Sequence, residues 1–332
     1  MKRIFLIKTA YILLSGLFAT GWSQSYTKLA QTGFQFLSVV SDARIAALGG
    51  AVTGVELQSS SLFCNPAGMA NQPTFLSVSA GQNHWIADID HNTLSLAVNP
   101  ASGRYGVMGV SVQSVDYGEL LGTRVSDNEQ GYIDTGVFKP SAIAVGVGYA
   151  KALTDRFSVG GQIKVVRQRL GDVRIPVTDS TTTTIENELT PLAFDFGTLF
   201  KTGFKSLTFG MSVRNFSREI EFEEEGFQLP LVFRMGISIN LFDLRRVGDL
   251  DHSLVLSVDA THYRSHPEQL IVGLEYRLLK LLSLRGGYVS NNDEDDFSLG
   301  FGVSHYGITL DYAYTPFGVF DNVQRITARF AI

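Results

Sequence analysis

Residues 231–241 read Leu231-Val232-Phe233-Arg234-Met235-Gly236-Ile237-Ser238-Ile239-Asn240-Leu241. Each odd position is large and apolar. Most even positions are small or polar, and one is charged. A period of two puts successive side chains on opposite faces of a strand, so one face here meets an apolar phase and the other does not. The same alternation returns along the chain. Ile143, Val145, Val147 and Tyr149 alternate with alanine and glycine. Leu207, Phe209, Met211 and Val213 alternate with Thr208, Gly210, Ser212 and Arg214. Phe297, Leu299, Phe301 and Val303, then Tyr306, Ile308, Leu310, Tyr312 and Tyr314, continue it. The chain ends with Ile326, Ala328, Phe330 and Ile332 set against Arg325, Thr327 and Arg329.

Alternation alone also fits a soluble sandwich, which turns its apolar face inward. Three features separate the two. The strands run to about ten residues, which suits a tilted membrane crossing. The second face is rich in glycine and serine rather than lysine and glutamate, as in a filled lumen. Tyrosine and phenylalanine gather near strand ends, where an interfacial girdle sits. The expected strands are 75–81, 93–98, 105–117, 141–152, 157–170, 191–201, 207–216, 230–242, 253–263, 269–279, 281–290, 297–304, 306–315 and 323–332, an even number as single-chain outer-membrane barrels have. Gaps at 118–140, 171–190, 217–229 and 291–296 are long. Those at 99–104, 153–156, near Lys280 and near His305 are short, with 243–252 the exception to the alternation. The reading is an all-β membrane protein, a 14-stranded antiparallel transmembrane barrel over 74–332, in contact with outer-membrane lipid and with both termini periplasmic.

Composition agrees. The 332 residues are 45% hydrophobic and 18% charged, with a formal charge of -5, which excludes the basic surface of a nucleic-acid binder. A mean hydropathy of +0.11 is too low for a helical membrane bundle but suits a barrel. One cysteine, Cys64, rules out an internal disulfide framework, and it reads as a small packed residue.

Residues 1–23 read as a signal peptide. Lys2, Arg3 and Lys8 precede an apolar run from Thr9 to Ala19, and small and polar residues follow to Gln24. Residues 24–73 break the alternation and read as a small, partly helical plug. Ser41 or Asp42 caps a short helix that Gly49 or Gly50 ends, and Asn65 caps a second that begins at Pro66. The apolar and small residues of this segment need a packing partner, which a lumen supplies.

"FQFLSVVSDARIAALGGA" and "NPAGMA" resemble the N-terminal signature of the PorV/PorQ family of FadL-type outer-membrane proteins. "WIADID", "VQSVDYGEL", "YAKALTDRFSVGGQIKVVRQRL", "SVRNF", "LPLVFRMGISI" and "LDYAYTPFGVF" extend the likeness over nearly the whole chain after residue 23. The resemblance implies a 14-stranded barrel with an N-terminal hatch, whose signature residues here are Asp42, Arg44, Gly49, Gly50, Asn65, Pro66, Ala67 and Gly68. It also implies protein partners in type IX secretion, cargo or surface-complex components, at the outer loops. FadL-type relatives pass hydrophobic small molecules through the wall, so a hydrophobic ligand is the alternative.

No catalytic motif is found, and the six histidines (His84, His91, His252, His262, His266 and His305) lack ligand spacing, so neither an enzyme nor a cofactor is expected. Lys164, Asp195, Arg214, Arg234, Asp259, Glu275, Arg277, Arg285 and Asp311 fall on the small face. They read first as cross-strand and strand-to-plug pairs, second as a permeation path. Acidic runs at Glu219–Glu225 and Asn291–Asp296 fall in outer loops and read as solvated. In the third strand Met108, Val110 and Val112 are even while Val115 and Tyr117 are odd. A slip at Ser114–Val115 predicts a bulge or kink, which either shapes the loop edge or, as the resemblance to FadL-type relatives implies, opens a lateral gate.

Overall fold

A computed structural model describes residues 32–178, 181–222, 225–244, 251–264, 267–292 and 296–332. The signal-peptide reading of 1–23 and the first plug residues, 24–31, lie outside the described residues. No described helix is long and apolar enough to cross a membrane.

Fourteen antiparallel strands form the wall: β1 (Leu76–His84), β2 (Asp90–Val98), β3 (Val107–Asp116), β4 (Ser141–Ala152), β5 (Phe157–Thr178), β6 (Leu192–Lys201), β7 (Thr208–Phe216), β8 (Val232–Asn240), β9 (His252–Tyr263), β10 (Gln269–Leu278), β11 (Leu282–Val289), β12 (Phe297–His305), β13 (Ile308–Phe317) and β14 (Phe320–Ala331). Each pairs with its chain neighbours, and β1 pairs with β14 from Ser77↔Ala331 to His84↔Gln324, so the sheet closes. Closure removes both free edges; in hydrocarbon each unpaired backbone group costs several kcal/mol, roughly 2–7 by transfer measurements. Alternation sets the two faces. On β4, residues 141–150 alternate strictly between exposed and buried, with Ile143, Val145, Val147 and Tyr149 outward and Ala142, Ala144 and Ala150 inward.

The short-turn rim carries the start of β1 and the end of β14. The long-loop rim carries two further hairpins. One pairs Leu120–Val125 with Tyr132–Phe138 in a sheet of its own. The other continues β5, whose 22 residues exceed the 9–11 a crossing needs, against Thr181–Leu189.

The plug runs the length of the lumen. It begins at the long-loop rim, where Thr32 bridges Gln228 and Gly33 N–H donates to the Gln228 carbonyl at 3.2 Å. It reaches β1 at the opposite rim. The strand ends therefore share one rim, but the first described residue of the chain sits at the other. The first residues of the chain lie outside the described residues, and with them the expectation that both termini are periplasmic.

Helix α1 (Ala43–Ala47) has Asp42 as its cap, with Oδ1 accepting from Ile45 N–H at 3.0 Å. It ends where Gly49 and Gly50 take φ of 64° and 92°, the left-handed region where a Cβ is penalised. The remaining turns, Gln35–Ser38, Gln58–Phe63 and Pro66–Met69, are 3-10. Asn65 caps the last, its Oδ1 accepting from Ala67 N–H at 3.2 Å. Such short pieces are held by the wall around them and not by helix propensity.

The third strand has no bulge. β3 pairs without a register break with β2 and with β4, and Ser114 and Val115 lie in both ladders. Val115 is buried because the lumen is apolar there: it packs into a cluster with Phe34, Phe36 and Leu37 of the plug. The change of parity marks a change in what the inner face touches, not a slip of the strand. A break does occur on β7 at Asn215, where the pairing with β6 shifts and φ is 59°.

Candidate functional site

The lumen holds the plug by backbone contact, by hydrogen bonds and by ions. Several wall glycines have no room for a methyl group. A Cβ on Gly160 would stand 2.5 Å from the backbone of Pro66 and Ala67, and one on Gly300 would stand 2.5 Å from Ala47 Cβ. Gly210 faces the Thr53 carbonyl, and Gly287 faces the backbone of Leu48 and Gly49, equally closely. The sequence signal for a filled lumen, glycine on the inward face, has this cause.

Polar wall side chains satisfy plug backbone groups that have no helix to satisfy them. Asp259 Oδ2 accepts from Val52 N–H and Thr53 N–H at 3.0 Å and from Thr53 Oγ1 at 2.6 Å. Ser298 Oγ accepts from Gly49 N–H, and Thr327 Oγ1 accepts from Ala43 N–H. Arg325 Nε donates to the Val40 carbonyl, Gln113 Nε2 to the Phe36 carbonyl and Ser238 Oγ to the Gly54 carbonyl. Asn65 Nδ2 reaches both Thr53 and Thr198 carbonyls.

The charges fall into two groups. Arg44 of the plug binds Glu275 on β10 through Nε at 2.8 Å and Nη2 at 2.9 Å. Glu275 also accepts from Arg277 at 2.7 Å and Arg285 at 2.6 Å. Arg285 reaches on to Asp311 at 2.7 Å, and Arg329 closes on the same carboxylate. Toward the long-loop rim, Lys164 Nζ pairs with Asp195 at 2.8 Å and donates to Asn215 Oδ1 at 2.6 Å. Asn215 N–H donates to Asp195 Oδ1, which explains the break in β7: the left-handed residue turns its amide into the lumen.

Lys164, Asp195, Arg214, Arg234, Asp259, Glu275, Arg285 and Asp311 are all buried on the inner face. The plug residues Asp42, Gly50, Asn65, Pro66, Ala67 and Gly68 are buried inside the ring they form. Ser114 and Val115 belong to an ordinary strand. Arg325 and Arg329 were missed as lumen charges, although they stand opposite Ile326, Ala328 and Phe330 on the last strand and the same parity argument would have found them. Cys64 is buried in the plug, and burial pushes its thiol up to about 12. No cluster of metal-ligating side chains exists among the described residues.

Two features mark the long-loop rim. The first hairpin meets the wall where Phe138 lies against Gly171 of β5, and its other apolar side chains are open, with Leu121 81% and Val125 85% exposed and with Leu120, Tyr132, Ile133 and Val137 also exposed. Beside it, a mostly apolar pocket of about 390 Å³ lies between plug residues Gly33 and Phe34, Leu170 of β5, Leu189, Phe222 and Phe227. The rims differ in charge. Loops 117–140, 171–190, 217–231 and 290–296 carry 17 acidic against 4 basic residues. Loops 99–106, 153–156, 202–207, 241–251, 279–281 and 306–307 carry 4 acidic against 6 basic.

A closed 14-stranded barrel with an internal N-terminal plug is the FadL-type architecture of the outer membrane. The structure is similar to the CymD monoaromatic hydrocarbon channel, with a TM-score of 0.60, 11% identity, and 89% of this chain and 98% of that one covered. It is also similar to the Pseudomonas putida toluene transporter TodX (0.56, 12%, 87% and 96%) and to a Pseudomonas aeruginosa FadL homologue (0.52, 13%, 88% and 98%). At these identities the likeness is one of fold. No curated protein sequence matches the chain. Residues 57–316, more than three quarters of the chain, match the family described as type IX secretion system membrane protein PorP/SprF. The chain belongs to that family. The match supports a type IX secretion barrel without singling out the PorV/PorQ branch that the sequence resembles.

Proposed function

We propose that this barrel is a non-enzymatic adaptor of type IX secretion, of the PorV/PorQ type, which binds protein partners with its long-loop rim. The long-loop rim then faces outward and the short-turn rim faces the periplasm. The observation that carries this reading is the plug. Wall glycines touch plug backbone, charged pairs tie the plug to β10, and the third strand is laddered on both sides. A barrel built this way has given up its interior as a path and offers its loops instead. The hairpin at Leu120–Val125 and Tyr132–Phe138 exposes apolar side chains and two open edges among the described residues, a template for strand addition. The acidic surround favours a partner with a basic rim, and such attraction raises the association rate more than the final affinity.

The apolar pocket favours a second reading, passage of hydrophobic small molecules as in the channels that share the fold. Its volume suits one aromatic ring with neighbours. One experiment separates the two. A full-length barrel with residues 119–139 replaced by a two-residue turn is produced in the native host. The adaptor reading expects the barrel to reach the membrane, surface delivery of secreted proteins to fail, and toluene uptake to stay unchanged. Normal secretion with altered uptake would transfer the function to the pocket.

A further inference from the structure

We propose that the cavity bounded by Arg214, Arg234 and the plug is a binding site for one compact monovalent anion, a halide such as chloride. The site is independent of the secretion reading. The cavity has a volume of about 20 Å³ and is closed by Ser41, Asp42 and Cys64 of the plug with Thr93 and Gln113 of the wall. One water-sized particle needs roughly 10–15 Å³ on this measure, so the space takes a single small occupant and excludes phosphate, sulfate or a carboxylic acid.

Among its lining groups, the Nε donors of Arg214 and Arg234 have no acceptor. Arg214 is 8% exposed and Arg234 3%. A guanidinium presents five N–H donors, and buried donors require acceptors. Arg234 places Nη1 on the Gly50 carbonyl and Nη2 on the Tyr263 hydroxyl, and its Nε has no acceptor. Arg214 makes no hydrogen bond among the described residues, and its Nε is likewise buried without one. Ser41 Oγ, on the plug side of the same cavity, is a third buried group without a partner.

Among the described residues, neither guanidinium hydrogen-bonds a carboxylate. Asp195 is held by Lys164 and Asn215. Asp42 accepts from Ile45 N–H and from Ser60 Oγ. Asp259 Oδ2 faces Val52 and Thr53, while its Oδ1 is buried without a hydrogen bond and makes none to Arg234. The Cys64 thiol, with its pKa pushed to about 12 by burial, stays neutral and supplies no negative charge. Across the lumen, eight basic side chains (Arg44, Lys164, Arg214, Arg234, Arg277, Arg285, Arg325 and Arg329) face five acidic ones (Asp42, Asp195, Asp259, Glu275 and Asp311). A halide accepts N–H and O–H donors from several directions and lowers that excess. A water accepts about two and leaves the charge as it was.

The test uses the full mature barrel in detergent. Crystals grown in bromide are expected to give an anomalous peak between Arg214 and Arg234. Thermal midpoints in sodium chloride are expected to rise with the logarithm of chloride over those in sodium gluconate at equal ionic strength. Above saturation, a tenfold rise in chloride multiplies the folding equilibrium about tenfold. Arg214→Gln should abolish the chloride dependence, and Lys139→Gln at the exposed rim should keep it. Absence of the peak, or midpoints equal in the two salts, overturns the proposal. Should Arg214→Gln fail to fold, the bromide crystals and the salt series on the unaltered protein decide.

Discussion

Glu275→Gln attacks the joint between plug and wall at its centre. Glu275 receives four N–H bonds, two from Arg44 and one each from Arg277 and Arg285. Glutamine keeps the shape but offers one acceptor oxygen, and its amide group points N–H bonds at guanidinium donors. About two charge-assisted bonds are lost, each worth roughly 1.5–3 kcal/mol. Arg285 keeps its bond to Asp311, while Arg44 and Arg277 lose the one carboxylate they bind among the described residues, and removing one partner of a buried pair costs about 3–5 kcal/mol. We therefore expect a loss of about 4 kcal/mol, a large share of the roughly 5–15 kcal/mol that a folded domain has. Arg44→Met cuts only the plug side of the joint and leaves Glu275 two arginines. A double-mutant cycle between the two should give a coupling of about 2 kcal/mol, well beyond the ~0.5 kcal/mol of independent sites. The assay is reversible urea unfolding in detergent micelles, run beside ion conductance in planar bilayers, where both variants should leak and the native barrel should not. Glu275→Gln within 1 kcal/mol of the native barrel (about the smallest loss a single hydrogen bond would give), or strict additivity with Arg44→Met, would show that the pair does not hold the plug.

Gly160→Val should leave a folded barrel with raised conductance, since its Cβ would meet plug backbone at 2.5 Å and overpacking of this kind costs about 1–3 kcal/mol. Conductance identical to the native barrel would mean that the plug yields without opening. Cys64 should resist iodoacetamide at pH 8, reacting about a thousandfold more slowly than in the unfolded chain, because raising the pKa from 9.0 to about 12 lowers the thiolate fraction by that factor. Raising the pH to 9 should not restore the reaction while the plug is folded; rapid labelling there would place the thiol in solvent. Asp259→Ala strands Val52 N–H, Thr53 N–H and the Thr53 hydroxyl, and should cost about 3 kcal/mol in the same unfolding assay, at about 1 kcal/mol per bond or more where the acceptor is charged. A loss below 1 kcal/mol would show that water replaces the carboxylate.

The strands were legible because their physics is local. Parity alone places Phe233 and Ile237 in lipid and Arg234 and Ser238 inside, and thirteen of the fourteen strands fall within three residues of their expected limits, while β5 runs eight residues past its expected end at 170. The plug was legible as a break in that parity, and Asp42, Gly49, Gly50 and Asn65 as the marks of short turns. Pairings were not legible. Nothing within one strand tells Glu275 that its partners are Arg44, forty residues into the chain, and Arg285, one strand on. The third strand misled for a related reason. Parity reports what a side chain touches, and Val115 touches a plug that is itself apolar at Phe36 and Leu37. The hairpin at 120–138 escaped because its apolar residues face neither lipid nor core.

The path of the plug constrains biogenesis. Its segment enters at one mouth and exits at the other, and the clearances beside Gly160, Gly210, Gly287 and Gly300 are too fine for a bulky chain to be drawn through afterwards. The cylinder has to wrap around a cargo of its own making. The seam between Leu76–His84 and Phe320–Ala331 is thus the natural last stitch, sewn once the interior is already furnished.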